Sequence, residues 1–366
     1  MTKRCLLTCS LLAMLLICGR NAPARAEAMP LLAVPDATKL GYAITWSSGL
    51  DVNPRRGDSL AYATVLGDAL VTVEWPANLV TVVSLKDGSV RWRQAMGGKL
   101  DRILGVASAG KDEWIVCSDV RLYGVSPDDG HVISMVDLDC TASAMGVVVG
   151  NLAIIPGVNG KLFTEDLTTG NPLWAYQLRS VISIMPLVTK NGVVAADNSG
   201  NAILIDPERG QLQWANRTFA AIKAMPAVNG HSVFVPSTDN SLYAWDLRTG
   251  QDQWVFHAGE RLTQPPLAQG AQVLVSLPSS KQLVALNAAT GAEAWRIDAA
   301  VQAMVPMKAG LLLALPRSLQ LIEAKTGKSL EAAPVADALQ YVLTGPDASV
   351  ILVTPRGRMA RLDPLP

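Results

Sequence analysis

Pro207-Glu-Arg-Gly-Gln-Leu-Gln-Trp214 is a turn running into a strand, and the chain repeats it. The same frame recurs as Leu85-Lys-Asp-Gly-Ser-Val-Arg-Trp92, Leu167-Thr-Thr-Gly-Asn-Pro-Leu-Trp174, Leu247-Arg-Thr-Gly-Gln-Asp-Gln-Trp254 and Ala288-Ala-Thr-Gly-Ala-Glu-Ala-Trp295. In every copy a glycine precedes a tryptophan by four residues. Two further copies keep the glycine and lose the ring, at Gly130 with Ser134 and at Gly327 with Glu331. The glycines therefore stand at 88, 130, 170, 210, 250, 291 and 327. A period near 40 residues with no helical pattern inside it predicts one four-stranded antiparallel blade per repeat.

Working outward from Trp214, one blade can be laid out strand by strand. Met185-Pro-Leu-Val188 reads as an inner strand and Gly192-Val-Val-Ala-Ala196 as the second. Asp197-Asn-Ser-Gly-Asn201 is a hairpin turn, because its residues tolerate left-handed backbone. Ala202-Ile-Leu-Ile-Asp206 is the third strand, and Gln211 opens the fourth. Four residues before the glycine the copies carry Asp166, Asp206, Asp246, Asn287 and Glu323, and Asp363 continues that series near the last residue. The final blade thus has three strands. Near the start, Gly41-Tyr-Ala-Ile-Thr-Trp46 is a tryptophan strand with no blade before it. Joining the two fragments gives an all-β, eight-bladed propeller closed by its first strand, and closure removes exposed sheet edges. The alternative is seven blades.

Composition agrees with a packed globular chain. The 366 residues are 49% hydrophobic and 17% charged, with 31 basic against 31 acidic side chains. Disorder and electrostatic binding of nucleic acid are both disfavoured by that balance. Lys3, Arg4, Arg20 and Arg25 lie in the first 26 residues, which contain no acid. Those residues read as a signal peptide: a basic start, an apolar run from Cys5 to Cys18, and Ala24-Arg25-Ala26 for cleavage. The run is shorter than the roughly 20 residues that span a bilayer. Acylation at Cys18 is the competing reading, against which stands the bulky Ile17 before it. Residues 27–366 are then expected to form a single propeller domain, monomeric, in the periplasm, soluble or peripheral to the outer membrane. Cys117 and Cys140 remain, as one disulfide or as two buried thiols on separate strands.

The repeated Asp-x-x-Thr-Gly-x-x-x-Trp pattern resembles that of the pyrroloquinoline-quinone dehydrogenase propellers, and it covers nearly all of residues 27–366. The resemblance implies that the tryptophan of one blade stacks on the glycine turn of its neighbour. Trp46, Trp92, Trp174, Trp214, Trp254 and Trp295 match that role, with Gly88, Gly130, Gly170, Gly210, Gly250, Gly291 and Gly327 as the turns. An indole suits a clamp because it buries a large apolar area while its N–H seeks a carbonyl.

Two branches share the repeat. One is enzymatic and holds the quinone with calcium on the propeller axis, often under adjacent cysteines, and this chain has no such pair beyond Cys18. The other is the family of compact exported propellers that includes the B subunit of the outer-membrane β-barrel assembly machine. It implies a non-catalytic scaffold, with no cofactor, that binds envelope proteins and a β-barrel assembly complex. In that family the barrel partner meets loops carrying a Leu-x-Leu-Arg stretch and paired acids. The corresponding segments, Ser180-Val-Ile-Ser-Ile-Met-Pro186 and Ala221-Ile-Lys-Ala-Met-Pro226, keep neither.

Other chemistry is sparse. His131, His231 and His257 fall in three blades, without His-x-x-x-His or Cys-x-x-Cys spacing. Asp197-Asn-Ser-Gly-Asn201 lacks the distal glutamate of a calcium loop. No catalytic or metal residues are predicted. One candidate partner surface is a methionine tier: Met145, Met185 and Met225 each precede their glycine by 25 residues, and Met304 precedes Gly327 by 23. A flexible, polarizable tier can accept an apolar loop, and the competing role is packing between inner strands.

Overall fold

The computed structural model describes residues 30–98, 100–307 and 310–365. The leader read in residues 1–26, with Cys18, lies outside them. Eight four-stranded antiparallel sheets form a closed ring, which settles the choice between seven and eight blades. Blade one is built from Ser59–Leu66, Ala69–Trp75, Leu79–Ser84 and Val90–Ala95, and six further sheets repeat that plain meander. Blade eight is composite. Tyr341–Thr344, Val350–Val353 and Arg358–Pro364 come from the C-terminal end, and Tyr42–Gly49 supplies the outer strand. Pairing runs from Tyr42 against Pro364 to Gly49 against Arg358. The inner strand of blade eight packs on that of blade one, and so the ring shuts.

Strand position within a blade sets its residue pattern. Middle strands are covered by blades on both sides and are buried throughout, as in Gly192–Ala196 and Ser232–Pro236. Such strands read as continuous apolar runs. Outer strands touch a neighbour through alternate residues only, giving the exposed–buried alternation of Leu212–Arg217. In blade four the strands are Leu187–Thr189, Gly192–Ala196, Asn201–Ile205 and Leu212–Arg217, each within a residue or two of expectation except the shorter inner strand. Core residues gather in the seams between blades, in eight hydrophobic clusters rather than one central core.

One element has no counterpart in the repeat. Val34–Lys39 forms a short helix with proline in its first turn. It packs on the outer strand of blade seven, Ser329–Pro334, and on Tyr42–Gly49. Leu31, Leu32, Ala37 and Leu40 join Ala333, Val335, Leu339 and Leu362 in a single buried cluster. The Ala336 N–H donates to the Leu31 carbonyl at 2.8 Å. This is the seam where Glu331 stands in place of a tryptophan.

Candidate functional site

The repeated turn is made by its own side chains. Asp166 Oδ1 accepts the amides of Thr168 and Thr169, Asp206 those of Glu208 and Arg209, and Asp246 those of Arg248 and Thr249. That local bonding bends the chain back and leaves the next residue in the left-handed region, which glycine adopts without strain. Gly250, for example, has φ +74°.

Each glycine turn but one is closed by an indole from the preceding blade. Trp46 covers Gly88, Trp92 covers Gly130, Trp174 covers Gly210, Trp214 covers Gly250, Trp254 covers Gly291 and Trp295 covers Gly327. A Cβ on any of these glycines would sit 2.6 to 2.8 Å from the ring. The indole N–H donates to the carbonyl three residues before the glycine: Leu85, Pro127, Pro207, Leu247, Ala288 and Ala324, at 2.8 to 3.2 Å. Gly170 faces Ser134's strand and meets Val136 instead.

The four methionines do not share one tier. Met145, Met185 and Met225 lie two residues ahead of their inner strands, whereas Met304 is inside Ala303–Met307. Met145 is buried, and the other three are half-buried against clusters between blades. Cys117 is buried on Trp114–Ser118, and burial pushes its thiol up to about 12. Cys140 lies in the loop after Val132–Asp137, not on a strand, and its thiol donates to Asn159 Oδ1. Both thiols are free.

What the repeat does not predict is a set of exposed side chains at one end of the ring. Loops that leave each outer strand for the next blade lie at the end of the second-to-third-strand turns. Their tips are fastened there: Asp197 Oδ2 accepts the amides of Arg179 and Ser180, and Asp239 Oδ2 accepts that of Phe219. Arg179 and Phe219 are equivalent positions of adjacent loops, 40 residues apart. Phe219 is 94% exposed. The turn Asp197–Asn201 spends its carboxylate wholly on such bonds, taking the amides of Ser199 and Asn201 as well. At the same end, Ser59, Ala61, Val73, Trp75, Asn78, Arg102 and Ile103 line a cleft of about 440 Å³. Trp75 is partly exposed beside it, and Leu100 is almost fully exposed. A single face thus presents aromatic, apolar and cationic side chains on hydrogen-bonded loops, the composition favoured in protein interfaces. An alignment of the copies on their glycines would have found Phe219, since no other loop tip carries a ring.

A quinone held with calcium calls for several oxygen ligands, carboxylates among them. Among the described residues no three His, Cys, Asp or Glu side chains come together to hold a metal ion. The residues do not fit that group. No described helix is long and apolar enough to cross a membrane.

Comparison with known proteins agrees with this architecture. A family model described as outer membrane protein assembly factor BamB matches residues 43–256, more than half of the chain. No curated protein sequence matches. Among solved structures, BamB from Moraxella catarrhalis is similar over 88% of this chain and 97% of its own, at 19% identity and TM-score 0.70. The computationally designed Ika8 protein is similar over 87% and 98%, at 14% identity and TM-score 0.69. A designed ring matches nearly as well as a natural one, so these two likenesses speak for the fold alone.

Proposed function

The chain belongs to the family described as outer membrane protein assembly factor BamB, and from that premise we propose that it is a non-catalytic scaffold for outer-membrane protein assembly. The proposal includes export by the leader in residues 1–26, a single propeller domain over residues 27–366, and a periplasmic place against the outer membrane. Its partner is the barrel subunit of a β-barrel assembly complex. The observation that carries the reading is the loop face holding Arg179 and Phe219, because it lies where the family resemblance puts the docking loops. The chemistry differs from the family pattern: the arginine is one residue ahead of Ser180–Pro186, and Ala221–Pro226 carries no acids, with Phe219 two residues ahead of it. A fully exposed ring on a fixed loop has little to do in the free monomer, since its burial stabilises nothing there.

The test is binding of purified full chain to the isolated periplasmic domains of the barrel subunit. Phe219→Asp and Arg179→Glu should each weaken binding by about tenfold or more while leaving the thermal transition in place. Unchanged binding by both variants would reject this face, and no binding by the wild type would reject the scaffold reading.

A further inference from the structure

The seam between blades two and three departs from the six clamped seams at several positions together. Ser134 stands where they have an indole, Gly124 lies opposite it in the sheet, and Glu165 takes the place of the apolar residue the indole covers. The equivalents of Glu165, five residues before each turn glycine, are Val83, Val125, Ile205, Trp245, Leu286 and Ile322. All are buried, and Ile205, Trp245, Leu286 and Ile322 each share a cluster with the covering tryptophan, as Trp245 does with Trp214. Val83 and Val125 do the same with Trp46 and Trp92.

Glu165 is 2% exposed, yet no described residue gives its carboxyl a hydrogen bond or an ion pair. It leaves the strand on the face of Phe163, which packs with Ile115, Cys117 and Leu122 of blade two, so it is aimed into the seam. On the facing wall Ser134 donates to Glu113 at 3.1 Å. A Cβ at Gly124 would come within 1.9 Å of that carboxylate. The Gly170 turn meets Val136 alone, at 3.4 Å. Where the six clamped seams hold an indole, this one has a polar slot walled by two acids.

The strand beside the slot is unusual as well. Val132–Asp137 is the outermost strand of blade two, and its far edge pairs with no described strand. Ile133 and Met135 are 52% and 58% exposed. At the equivalent positions the other blades with a glycine turn carry Arg91 and Arg93, Leu173 and Ala175, Gln213 and Ala215, Gln253 and Val255, Ala294 and Arg296, and Leu330 and Ala332, so blade two alone has a large apolar side chain at both. Charged side chains on an edge deter pairing, and an apolar edge invites it.

We propose that this seam binds an extended polypeptide segment bearing an arginine. The segment's backbone pairs with the free edge of Val132–Asp137, its apolar side chains lie on Ile133 and Met135, and its guanidinium enters beside Ser134 to meet Glu165 and Glu113. Charge complementarity selects this occupant: among the described residues neither carboxylate has a cation within ion-pair distance, and Lys161 of the same strand, its ammonium over the Phe163 ring, favours the ionised Glu165 less than burial and Asp139 oppose it. A guanidinium is flat, as an indole is, and brings several donors in a fixed fork. An indole has one N–H and would leave Glu165 buried without a partner. Burial and Asp139 raise the Glu165 carboxyl to about 7, and a cation restores its ionised form. The site lies on the rim, at the turn end of the seam, and is separate from the loop face proposed for docking.

The test titrates the full chain with two blocked peptides, acetyl-Thr-Val-Arg-Val-Thr-amide, whose valines and arginine take opposite faces of a strand, and the same peptide with alanine for arginine, followed by NMR or calorimetry. The arginine peptide should bind about tenfold or more tighter than the alanine one. Its affinity should rise with pH through 7, and Glu165→Gln should remove the preference without loss of fold. Ser134→Trp should block the slot and abolish binding of both peptides. Equal affinity for the two, an unaltered preference in Glu165→Gln, or no binding at about 1 mM peptide would overturn the proposal.

Discussion

Trp214 is the best-connected indole: 6% exposed, edge-on to Trp245 at 6.1 Å, with its N–H on the Leu247 carbonyl at 3.0 Å. Two losses are separable there. Trp214→Ala should cost about 3–5 kcal/mol in urea denaturation, because it opens a cavity over Gly250. Trp214→Phe keeps most of the buried area and loses the bond, leaving a carbonyl unpaired, so about 1–3 kcal/mol is expected. Equal costs would mean that the bond, not the packing, holds the seam. Glu165 makes a pH prediction. Its carboxyl ordinarily titrates at 4.5 and in the folded chain at about 7. Between those values the folded state holds a proton that the unfolded state has released, so this group's contribution to stability falls as pH rises through the window. Asp139 lies near enough to add to the shift, and Lys161 opposes it. Glu165→Gln should therefore shrink the drop in melting temperature between about pH 5 and pH 8, measured by circular dichroism.

Among elements, the short helix Val34–Lys39 carries the blade seven–eight seam, one of the two that the repeat leaves unclamped. Blade eight has no glycine turn between its third and outer strands, since that connection is where the two chain ends meet. Leu31, Leu32 and Leu40 supply the buried area an indole supplies elsewhere. Leu32, 1% exposed, should cost about 2–5 kcal/mol when changed to alanine, a loss comparable to a clamp tryptophan. A cost near that of an exposed residue, read from the denaturation midpoint, would mean that the helix merely rests on the ring. Nothing in the spacing of Leu31-Leu-Ala-Val-Pro35 marks it as a plug, for it has neither the period nor the length of a recognisable helix.

Closure belongs to the whole molecule. Removing residues 30–50 strips both the plug and the strand Tyr42–Gly49, and exposes the edge of Arg358–Pro364. Such a truncation should lose its sharp thermal transition and tend to aggregate, as an open ring with an unpaired edge does. A melt as cooperative as the full chain's would show that the other seven blades hold without the joint. The internal sheets differ in this respect: each is covered on both sides, so a single clamp loss there is confined to one seam.

The eight-bladed ring was legible in residues because its determinants are local. A glycine four residues before a tryptophan, and in most copies an Asp, Asn or Ser side chain four residues before the glycine, encode a turn and a strand start. Even the composite blade could be inferred, since an unmatched tryptophan strand and an unmatched aspartate complement one another. The candidate sites were not readable in that way. Phe219 is one phenylalanine in a loop, and only the tethering of that loop by Asp239 shows that its ring stands in solvent. Glu165 left a trace, as an acid among apolar copies, but its meaning required the facing wall of blade two. Methionines at a common offset read as one tier, yet the seams bury them unequally, because side-chain exposure depends on the neighbouring blade. Local bonding determined the turns and strands; exposure, burial and charge at each seam were decided by contacts between residues far apart in the chain.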